Sequence, residues 1–275
     1  MIRLGSTLAI IVLLGGALPG GAAEPSITLA STTSVEASGL LTNILPQFAA
    51  KTGVTVNVVA QGTGKALDTA RRGDADLVLV HDPEAEREFI DEGYGTARRQ
   101  IAWNDFIIVG PSSDPAHIRD GKDSVAAFKA IASAQALFVS RGDRSGTNAA
   151  ELRLWRTAGR TPEALNPEKW YRDIGGGMGQ ALNVASAMNA YTLSDRGTWL
   201  SFNNKGSLAI MIEGDPRLIN RYDVIELNPK KHGAARLDAA KIFADWLVSS
   251  EGQQAIGAYQ MNGQQLFNPS ASSAK

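Results

Sequence analysis

Hydroxyl-bearing and small residues recur at three points where a strand-like run gives way to a helix-like run. These three junctions contain Ser31-Thr32-Thr33-Ser34, Gln61-Gly62-Thr63-Gly64, and the segment from Arg141 to Thr147. The first turn of a helix carries unpaired backbone N–H groups and a partial positive charge. Ser and Thr add hydroxyl donors, and Gly lets the backbone approach a ligand closely. Three such junctions that meet in space would surround an anion with donors.

The segment Arg141-Gly142-Asp143-Arg144-Ser145-Gly146-Thr147 is the most specific of the three. Ser, Thr and Gly are favoured helix N-caps in any protein, so capping alone could explain each of the other two junctions. Here a guanidinium is added, and its planar fork can engage two oxygens of an anion at once. Asp143 can hold Arg141 in place, although it can equally pair with Arg144. The segment favours anion binding over capping.

The junctions lie within an alternation of strands and helices. Short apolar or β-branched runs predict strands over Ile27–Ala30, Val54–Ala60, Leu77–Val80, Asp105–Val109, Ala136–Ser140, Leu208–Ile212 and Asp223–Leu227. Helices are predicted over Gly64–Arg72, Glu84–Asp91, Ser124–Ala132, Thr147–Thr157, Ala234–Val248 and Glu251–Tyr259. Another helix-compatible segment follows Ser34, and Pro46 is expected to kink or restart it. The pattern predicts an α/β fold with mostly parallel sheets, whose strands have their carboxyl ends close together.

Three other polar segments are less specific. The glycine-rich stretch 175–179 predicts a flexible entrance to a helix rather than a phosphate loop. Residues 191–198 place hydroxyls and Arg196 together, either as a wall of the site or as a helix cap with a solvated Arg–Asp pair. His81 and Asp82 end a predicted strand, and their residue types alone identify neither a ligand nor a base.

Composition excludes several classes of function. The chain has 275 residues, 44% of them hydrophobic, with no Cys, three His and a formal net charge of −1. Thiol nucleophiles are excluded, and the inventory does not favour a metal cation site or an iron–sulfur cluster. There is no excess of basic residues to hold nucleic acid. We therefore expect no cofactor, no cation site and no nucleic-acid partner.

The N-terminal segment has the layout of a secretory signal peptide. A basic start at Arg3 precedes an apolar run over 8–18, and small residues follow up to Ala23. This layout predicts cleavage after residue 23, so that 1–23 are removed. No Cys follows to carry a lipid anchor. We expect a mature protein free in a bacterial periplasm.

Taken in order along almost the whole mature chain, the motifs resemble the tungstate-binding proteins of Tup-type bacterial ABC importers. The resemblance rests on Ser31–Ser34, Ser38–Leu41, Leu45–Phe48, Gly62–Gly64, Gly73–Asp76, Asn104–Phe106, Ser140–Thr147, Gly177–Gly179 and Ala190–Trp199. It implies a two-lobe type II periplasmic binding protein with a ligand cleft between the lobes. The implied lobe one comprises 24–107 and 222–275, and lobe two comprises 108–221.

The same resemblance implies a set of residues that bind a tetrahedral oxyanion. They are Thr32, Thr33, Ser34, Thr63, Gly64, Arg141, Ser145, Gly146 and Thr147. Two positions depart from the family pattern, because Ser31 stands where a third Thr is usual and Asn148 where His is common. The resemblance also implies delivery of the ligand to an ABC permease with its ATPase in the inner membrane, and a monomeric receptor.

Chemistry narrows the anion in part. Phosphate near neutral pH carries a proton and needs a buried acceptor, whereas tungstate, molybdate and sulfate need donors only. Asp143 is the one carboxylate near the junctions, and an Arg can occupy it, which mildly disfavours phosphate. Physics does not separate tungstate from molybdate. A periplasmic phosphate-ester hydrolase is the alternative function, but the sequence shows no convincing base or metal cluster for it.

Overall fold

The computed structural model describes residues 25–232 and 237–271. The predicted signal peptide, 1–23, lies outside these residues, as do positions 234–236 of the predicted Ala234–Val248 helix. The strands in chain order are β1 (Ser26–Thr32), β2 (Thr55–Gln61), β3 (Leu77–Val80), β4 (Gly95–Pro111), β5 (Phe138–Ser140), β6 (Tyr171–Asp173), β7 (Tyr191–Asp195), β8 (Leu208–Ile212), β9 (Ile219–Leu227), β10 (Gln260–Met261), β11 (Gln264–Gln265) and β12 (Asn268–Pro269).

Helices follow most of the strands. In chain order they are α1 (Thr33–Ala37), α2 (Leu40–Thr52), α3 (Thr63–Arg71), α4 (Pro83–Asp91), α5 (Ser124–Ser133), α6 (Gly146–Thr157), α7 (Pro162–Leu165), α8 (Met178–Met188), α9 (Arg196–Ser201), α10 (Pro229–His232), α11 (Leu237–Val248) and α12 (Ser250–Ala258). A 3-10 turn, Pro216–Leu218, precedes β9. None of the helices in the described ranges is long and apolar enough to cross a bilayer.

The strands form two parallel groups joined by two longer strands. The order across the sheet is β2-β1-β3-β9-β4-β7-β5-β6. β1 pairs in parallel with β2 and β3, and β5 pairs in parallel with β6 and β7. Among the described strands, every antiparallel pairing involves β4 or β9, apart from the short β10–β11 ribbon. We call β4 and β9 the crossing strands. The group around β1 belongs to the first lobe and the group around β5 to the second, so the predicted two-lobe α/β fold is confirmed.

Each lobe has its own aromatic core. In the first lobe, Phe48 packs against Phe243 and Trp246, with ring centroids 4.7 and 5.5 Å away. In the second lobe, the Trp155 ring lies 4.3 Å from that of Phe128 and 5.2 Å from that of Phe138. All these side chains are buried, so each lobe has its own interior and does not depend on the other to cover its apolar residues.

The structure differs from the sequence-based expectation at Pro46. Helix α2 continues through Pro46, and the break lies earlier, at Gly39, whose φ is +76°. A restart at Pro46 is wrong, because α2 is continuous from Leu40 to Thr52. Leu41, Ile44 and Phe48 are buried in the first-lobe core on both sides of the proline, and their burial stabilises the helix despite the missing backbone donor.

Strand β7 was not predicted, because its residues are mostly polar. All five of its residues are nevertheless buried, and it lies between β4 and β5 in the sheet. Thr192 Oγ1 donates to the Val139 carbonyl oxygen at 2.8 Å, so its hydroxyl is satisfied inside the sheet. The predicted helix entrance at 175–179 is confirmed, with Gly177 as the N-cap of α8.

Candidate functional site

The first junction lies at the carboxyl end of β1. Thr32 is the N-cap of α1, and its Oγ1 accepts a hydrogen bond from the backbone N–H of Val35 at 3.2 Å. The same oxygen lies 3.0 Å from Ser34 Oγ. Thr32 is buried, Ser34 is half-buried and Thr33 is exposed. The junction therefore presents coupled hydroxyls, with Thr33 as the first residue of a short helix.

The second junction follows β2, the neighbour of β1. Gly62 is the N-cap of α3 in extended conformation, and Thr63 and Gly64 are the first two helical residues. Thr63 is only 2% exposed, and its Oγ1 has no hydrogen-bond partner among the described residues. Gly64 is exposed, and a Cβ added to it would meet nothing within 4 Å. Burial of a hydroxyl without a hydrogen bond costs free energy, so the position of Thr63 Oγ1 favours a ligand that accepts its proton.

The third junction, in the second lobe, holds a buried arginine. Arg141 is 3% exposed, and its Nη2 pairs with Asp143 Oδ2 while its Nη1 donates to Thr147 Oγ1 at 3.3 Å. Asp143 also accepts the backbone N–H of Ser145 at 3.1 Å, and Ser145 caps α6. Arg144 is exposed, so Asp143 holds Arg141 and not Arg144. Nε of Arg141 is buried without a partner among the residues described.

A buried carboxylate fixes this junction from beneath. Glu151 on α6 accepts hydrogen bonds from Ser140 Oγ at 2.6 Å, Tyr171 OH at 2.8 Å and Trp155 Nε1 at 3.0 Å. Complete burial raises the pKa of the Glu151 carboxyl to about 7, against the opposing effect of these donors. Ser140 Oγ also accepts from the Asn148 side chain at 3.2 Å, which ties α6 to the end of β5. Sequence reasoning missed Glu151, whose position in an amphipathic helix is typical of a surface residue.

The structure brings the three junctions together. A Cβ on Gly62 would lie 3.6 Å from the Asp143 carbonyl oxygen, so the second and third junctions touch across the lobes. The first and third are joined by His81, whose Nε2 is 2.9 Å from Ser34 Oγ. A Cβ on Gly146 would lie 2.5 Å from the Cε1 of the His81 ring, so the imidazole packs directly against the first residue of α6. The three junctions therefore meet where the two lobes face each other.

His81 is the functional residue that sequence reasoning left without a role. It follows β3 and is 2% exposed, and burial lowers the pKa of its imidazole to about 4. Its ring lies 5.0 Å from that of Tyr222. A signal was present in the sequence, because His81 comes directly after a buried parallel strand, as the residues of the three junctions do.

Ion pairs connect the lobes beside this place. Arg153 on α6 donates to Asp82 at 2.9 Å, and Arg156 lies 3.5 Å from Glu84 at the start of α4. Arg196, by contrast, does not reach the junctions through its ion pairs. It binds Asp105 on β4 and Glu213, so Arg196 belongs to a helix cap with an ion pair. Asp195, the N-cap of that helix, lies close enough to His81 to act on its pKa.

The donor set suits an oxyanion. Arg141 Nε and Thr63 Oγ1 are buried without partners on two junctions that touch each other. Other buried side-chain atoms without partners belong to residues outside the junctions, namely Glu86, Arg99, His232 and Trp246. No group of three His, Cys, Asp or Glu side chains able to hold a metal ion occurs in 25–232 or 237–271. The arrangement can bind an anion through one guanidinium, hydroxyls and helix N-terminal amides.

Comparison with known proteins agrees with this fold. Residues 19–251 match the family model of the PBP superfamily domain. A TupA tungstate-binding protein of Peptoclostridium acidaminophilum is 42% identical over 98% of this chain and 99% of its own length. A putative ABC transporter anion-binding protein of Haloferax volcanii is 45% identical over 94% of this chain and 75% of its own length. The solved structure of TupA from Desulfovibrio alaskensis has a TM-score of 0.80 and 42% identity, covering 90% of this chain and all of that one.

The chain is thus a member of the PBP superfamily, the class of periplasmic binding proteins. Within that class it belongs to the TupA family, as the sequence resemblance predicted.

Proposed function

We propose that the protein is an extracytoplasmic receptor that binds tungstate as the oxyanion and passes it to an ABC permease. The observation that carries the proposal is the pair of buried, unpartnered donors, Arg141 Nε and Thr63 Oγ1, on junctions that touch across the lobes. The identity to TupA proteins supports tungstate over other anions. The proposed ligand-binding residues are Thr32, Thr33, Ser34, Thr63, Gly64, Arg141, Ser145, Gly146 and Thr147.

The chemistry of the site favours an anion without a proton. Both oxygens of Asp143 already have partners, since one pairs with Arg141 and the other accepts the N–H of Ser145. These contacts direct the Asp143 carboxylate towards its own segment, which makes it a poorer acceptor for the hydroxyl of hydrogen phosphate. Tungstate, molybdate and sulfate all meet this requirement, so molybdate and sulfate are the nearest alternatives.

We place the lobe boundaries at the crossing strands, with 24–107 and 222–275 in lobe one and 108–221 in lobe two. Closure of the lobes would exclude water around the anion, which strengthens every donor–anion contact. The Arg153–Asp82 pair supports this proposal because it joins α6 of one lobe to the start of α4 in the other. The closed receptor would then present both lobes to the permease.

The location and assembly belong to the same proposal. The segment 1–23 acts as a cleaved signal peptide, the mature protein works in the periplasm as a monomer, and the permease and its ATPase lie in the inner membrane. The name of the Haloferax relative, an ABC transporter anion-binding protein, supports this partner. No cofactor is needed, because binding and release require no chemistry.

The hydrolase alternative has one observation in its favour. Ser34, His81 and Asn220 are linked as a nucleophile, a base and an orienting group would be, at 2.9 and 3.0 Å. Burial lowers the pKa of His81 to about 4, however, which makes it a poor base at neutral pH. We therefore propose a receptor and not an enzyme. Release of nitrophenol from an aryl phosphate or ester by wild-type protein, lost in Ser34→Ala, would contradict this.

The deciding experiment is isothermal titration of ligand-stripped mature protein with tungstate, molybdate, sulfate and phosphate. We expect tight one-to-one binding of tungstate, weaker binding of molybdate and no measurable heat with phosphate. Tight binding of phosphate or sulfate in preference to tungstate would overturn the ligand while leaving the fold and site. No binding of any anion would overturn the receptor function.

A further inference from the structure

A chain of buried polar side chains runs from the first junction to both crossing strands. His81 Nε2 is 2.9 Å from Ser34 Oγ, and its Nδ1 is 3.0 Å from Asn220 Oδ1 on β9. The Asn220 amide nitrogen reaches Asn104 Oδ1 on β4 at 2.9 Å and Tyr222 OH at 2.7 Å. His81 is thus the link between a proposed ligand-binding hydroxyl and the two strands that join the lobes.

The imidazole of His81, within this row of hydrogen-bonded side chains, is neutral near pH 7. Burial is the main reason, since it lowers the pKa of His81 to about 4. Asp195 and Asp82 face it and favour the charged form, while Arg141 disfavours it. A neutral imidazole has one N–H, so only one of its two neighbours can receive a hydrogen bond from it.

The donor-to-acceptor direction of these hydrogen bonds decides whether Ser34 offers a proton or a lone pair to a ligand. With the Asn220 oxygen towards Nδ1, the proton lies on Nδ1 and Nε2 must accept one from Ser34. The Ser34 hydroxyl then points its proton away from the cleft and can offer only lone pairs. An unprotonated oxyanion would be repelled by those lone pairs.

The reverse direction satisfies the same atoms. A half-turn of the Asn220 amide exchanges its oxygen and nitrogen in place, and these two atoms are told apart only by their hydrogen bonds. Its nitrogen then donates to Nδ1, Nε2–H donates to Ser34, and His81 no longer holds the Ser34 proton. Thr32 Oγ1, 3.0 Å from Ser34 Oγ, can donate to Ser34 instead of accepting from it, which leaves the Ser34 proton for a ligand. At the far end, the Tyr222 hydroxyl can donate to the exchanged oxygen at 2.7 Å. The Asn104 amide can donate to it at 2.9 Å once it makes the same half-turn, because its oxygen otherwise faces that position.

We propose that His81 is a specificity-determining residue, which in the anion complex carries its proton on Nε2 and donates to Ser34, so that the Ser34 hydroxyl donates to the ligand. This inference rests on the proposed function, because it requires an unprotonated oxyanion in the cleft. The opposite direction would suit hydrogen phosphate, whose own hydroxyl can donate to the Ser34 lone pairs. Control of one proton therefore contributes to the choice between these anions.

The packing of His81 connects this choice to closure. Its ring contacts Gly146 at the start of α6, where a Cβ would lie 2.5 Å from Cε1 and 2.7 Å from Nδ1. The imidazole therefore touches the first lobe through Ser34, a crossing strand through Asn220 and the second lobe through Gly146. These three contacts exist together where the two lobes meet, so His81 links the hydrogen bond at Ser34 to the contact between the lobes.

Nitrogen NMR of protein labelled with 15N in the histidine rings tests the proposal directly. The chain has three His, so the His81→Gln variant assigns the His81 signals by their loss. In the tungstate complex we expect a protonated Nε2, and an unprotonated Nε2 in that complex would overturn the inference. Calorimetry on the same sample distinguishes a failure of the receptor function from a failure of the inference about His81. Failure to bind any of the dianions overturns the receptor function and this inference together, whereas binding with Nε2 unprotonated overturns the inference alone.

A pair of variants tests the same idea through affinity. In His81→Gln the amide nitrogen can take the place of Nε2 and donate to Ser34, whereas in His81→Asn the shorter amide reaches only the Nδ1 position. We expect the Gln variant to stay within about threefold of the wild-type tungstate affinity and the Asn variant to lose about tenfold. The tungstate-to-phosphate preference should fall only in the Asn variant.

Equal losses for every anion, or equal behaviour of the two variants, would mean that His81 only supports the fold. Thermal unfolding of each variant checks folding. Addition of His81→Asn to Ser34→Ala isolates the coupling, because without the hydroxyl the histidine substitution should have no further effect on the anion preference. A full additional loss of preference in that background would contradict the proposal.

Discussion

The two lobes bring different chemistry to the same cleft. The second lobe provides a charge, Arg141, which Asp143 and Thr147 hold in place within one short segment. The first lobe provides neutral hydroxyls, on Thr32, Ser34 and Thr63. An anion site therefore needs one well-held guanidinium and several dipoles rather than a positive surface, which agrees with a formal net charge of −1.

The two sides also differ in how they are fixed. The charged segment is held by near neighbours in the sequence and by Glu151 beneath it. The orientation of the Ser34 hydroxyl depends instead on His81 and Asn220, which lie 47 and 186 positions further along the chain. Local contacts set the charge, whereas contacts across the molecule set the direction of a neutral donor.

Among the changes to either lobe, removal of the Arg141 charge should have the largest effect on tungstate affinity. We expect Arg141→Ala to weaken tungstate binding by about 100-fold, since a charge-assisted contact to a desolvated anion is lost. The tungstate affinity of Arg141→Lys should lie between those of Arg141→Ala and wild type, because the ammonium group is a point charge and lacks the planar fork of the guanidinium. Isothermal titration measures both. Arg144→Asn is the matched control: it removes an equal charge from an exposed side chain, and Asn tolerates the φ of +58° at this position. A loss in the control equal to that in Arg141→Ala would mean that overall charge, and not Arg141, binds the anion.

The carboxylate beneath the charged segment should appear in the pH dependence of stability. The pKa of Glu151 is raised from 4.5 to about 7 in the folded protein, so its stabilising contribution is complete below pH 4.5 and is lost as the pH rises through 7. We expect Glu151→Gln to remove about 3 kcal/mol of the fall in unfolding free energy between pH 4.5 and 8. Urea unfolding of wild type and variant at both pH values measures this difference. Identical pH profiles would show that Glu151 ionises normally.

In the first lobe, which provides the neutral hydroxyls, a substitution of Thr63 should change tungstate affinity and melting temperature in different ways. Thr63→Val keeps the shape of the side chain and removes a hydroxyl that has no partner among the described residues. We expect tungstate affinity to fall about fivefold, while the melting temperature stays the same or rises, because no protein hydrogen bond is lost. Titration and thermal unfolding of the same sample provide both values. Unchanged affinity would remove the hydroxyl from the site.

The smallest effect should come from the ion pair that joins the two sides. Arg153 is partly exposed, so its pair with Asp82 is worth less than about 1 kcal/mol. We expect Arg153→Gln to raise the dissociation rate of tungstate about threefold at low salt, and less at high salt. Stopped-flow fluorescence would follow the release. Arg156→Gln, in a longer and more exposed pair, should have a smaller effect, and the reverse order would contradict this ranking.

Much of this arrangement could be predicted from sequence, because it depends on local signals. A strand followed by Ser, Thr or Gly and then a helix identified all three junctions, and parallel strands bring the first two to one place. The third follows β5 in the other group of strands, so its contact with the second needed the structure. The structure was needed to show that Asp143 pairs with Arg141 and not with Arg144, since the two arginines differ in burial and not in type. The restart expected as one outcome at Pro46 was wrong because core packing outweighed a local preference.

The features that could not be predicted depend on distant residues. Asn104 and Asn220 meet across 116 positions, and neither lies in a motif. Strand β7 has a polar sequence, and only its place between β4 and β5 shows that its hydroxyls are paired inside the sheet. A single sequence carries the residue types of such contacts but not the distances between them.

The connection between the lobes is a pair of strands that stay hydrogen-bonded to each other. β4 and β9 pair antiparallel from Gly95 opposite Leu227 to Asp105 opposite Ile219, with register shifts between Gly95 and Ala97 and between Gln100 and Ala102. A single strand could rotate about its bonds in any direction, whereas a paired ribbon bends most easily perpendicular to its plane and resists shear and torsion within it. The closure that we propose would therefore follow one path and return the same side chains to the same facing positions.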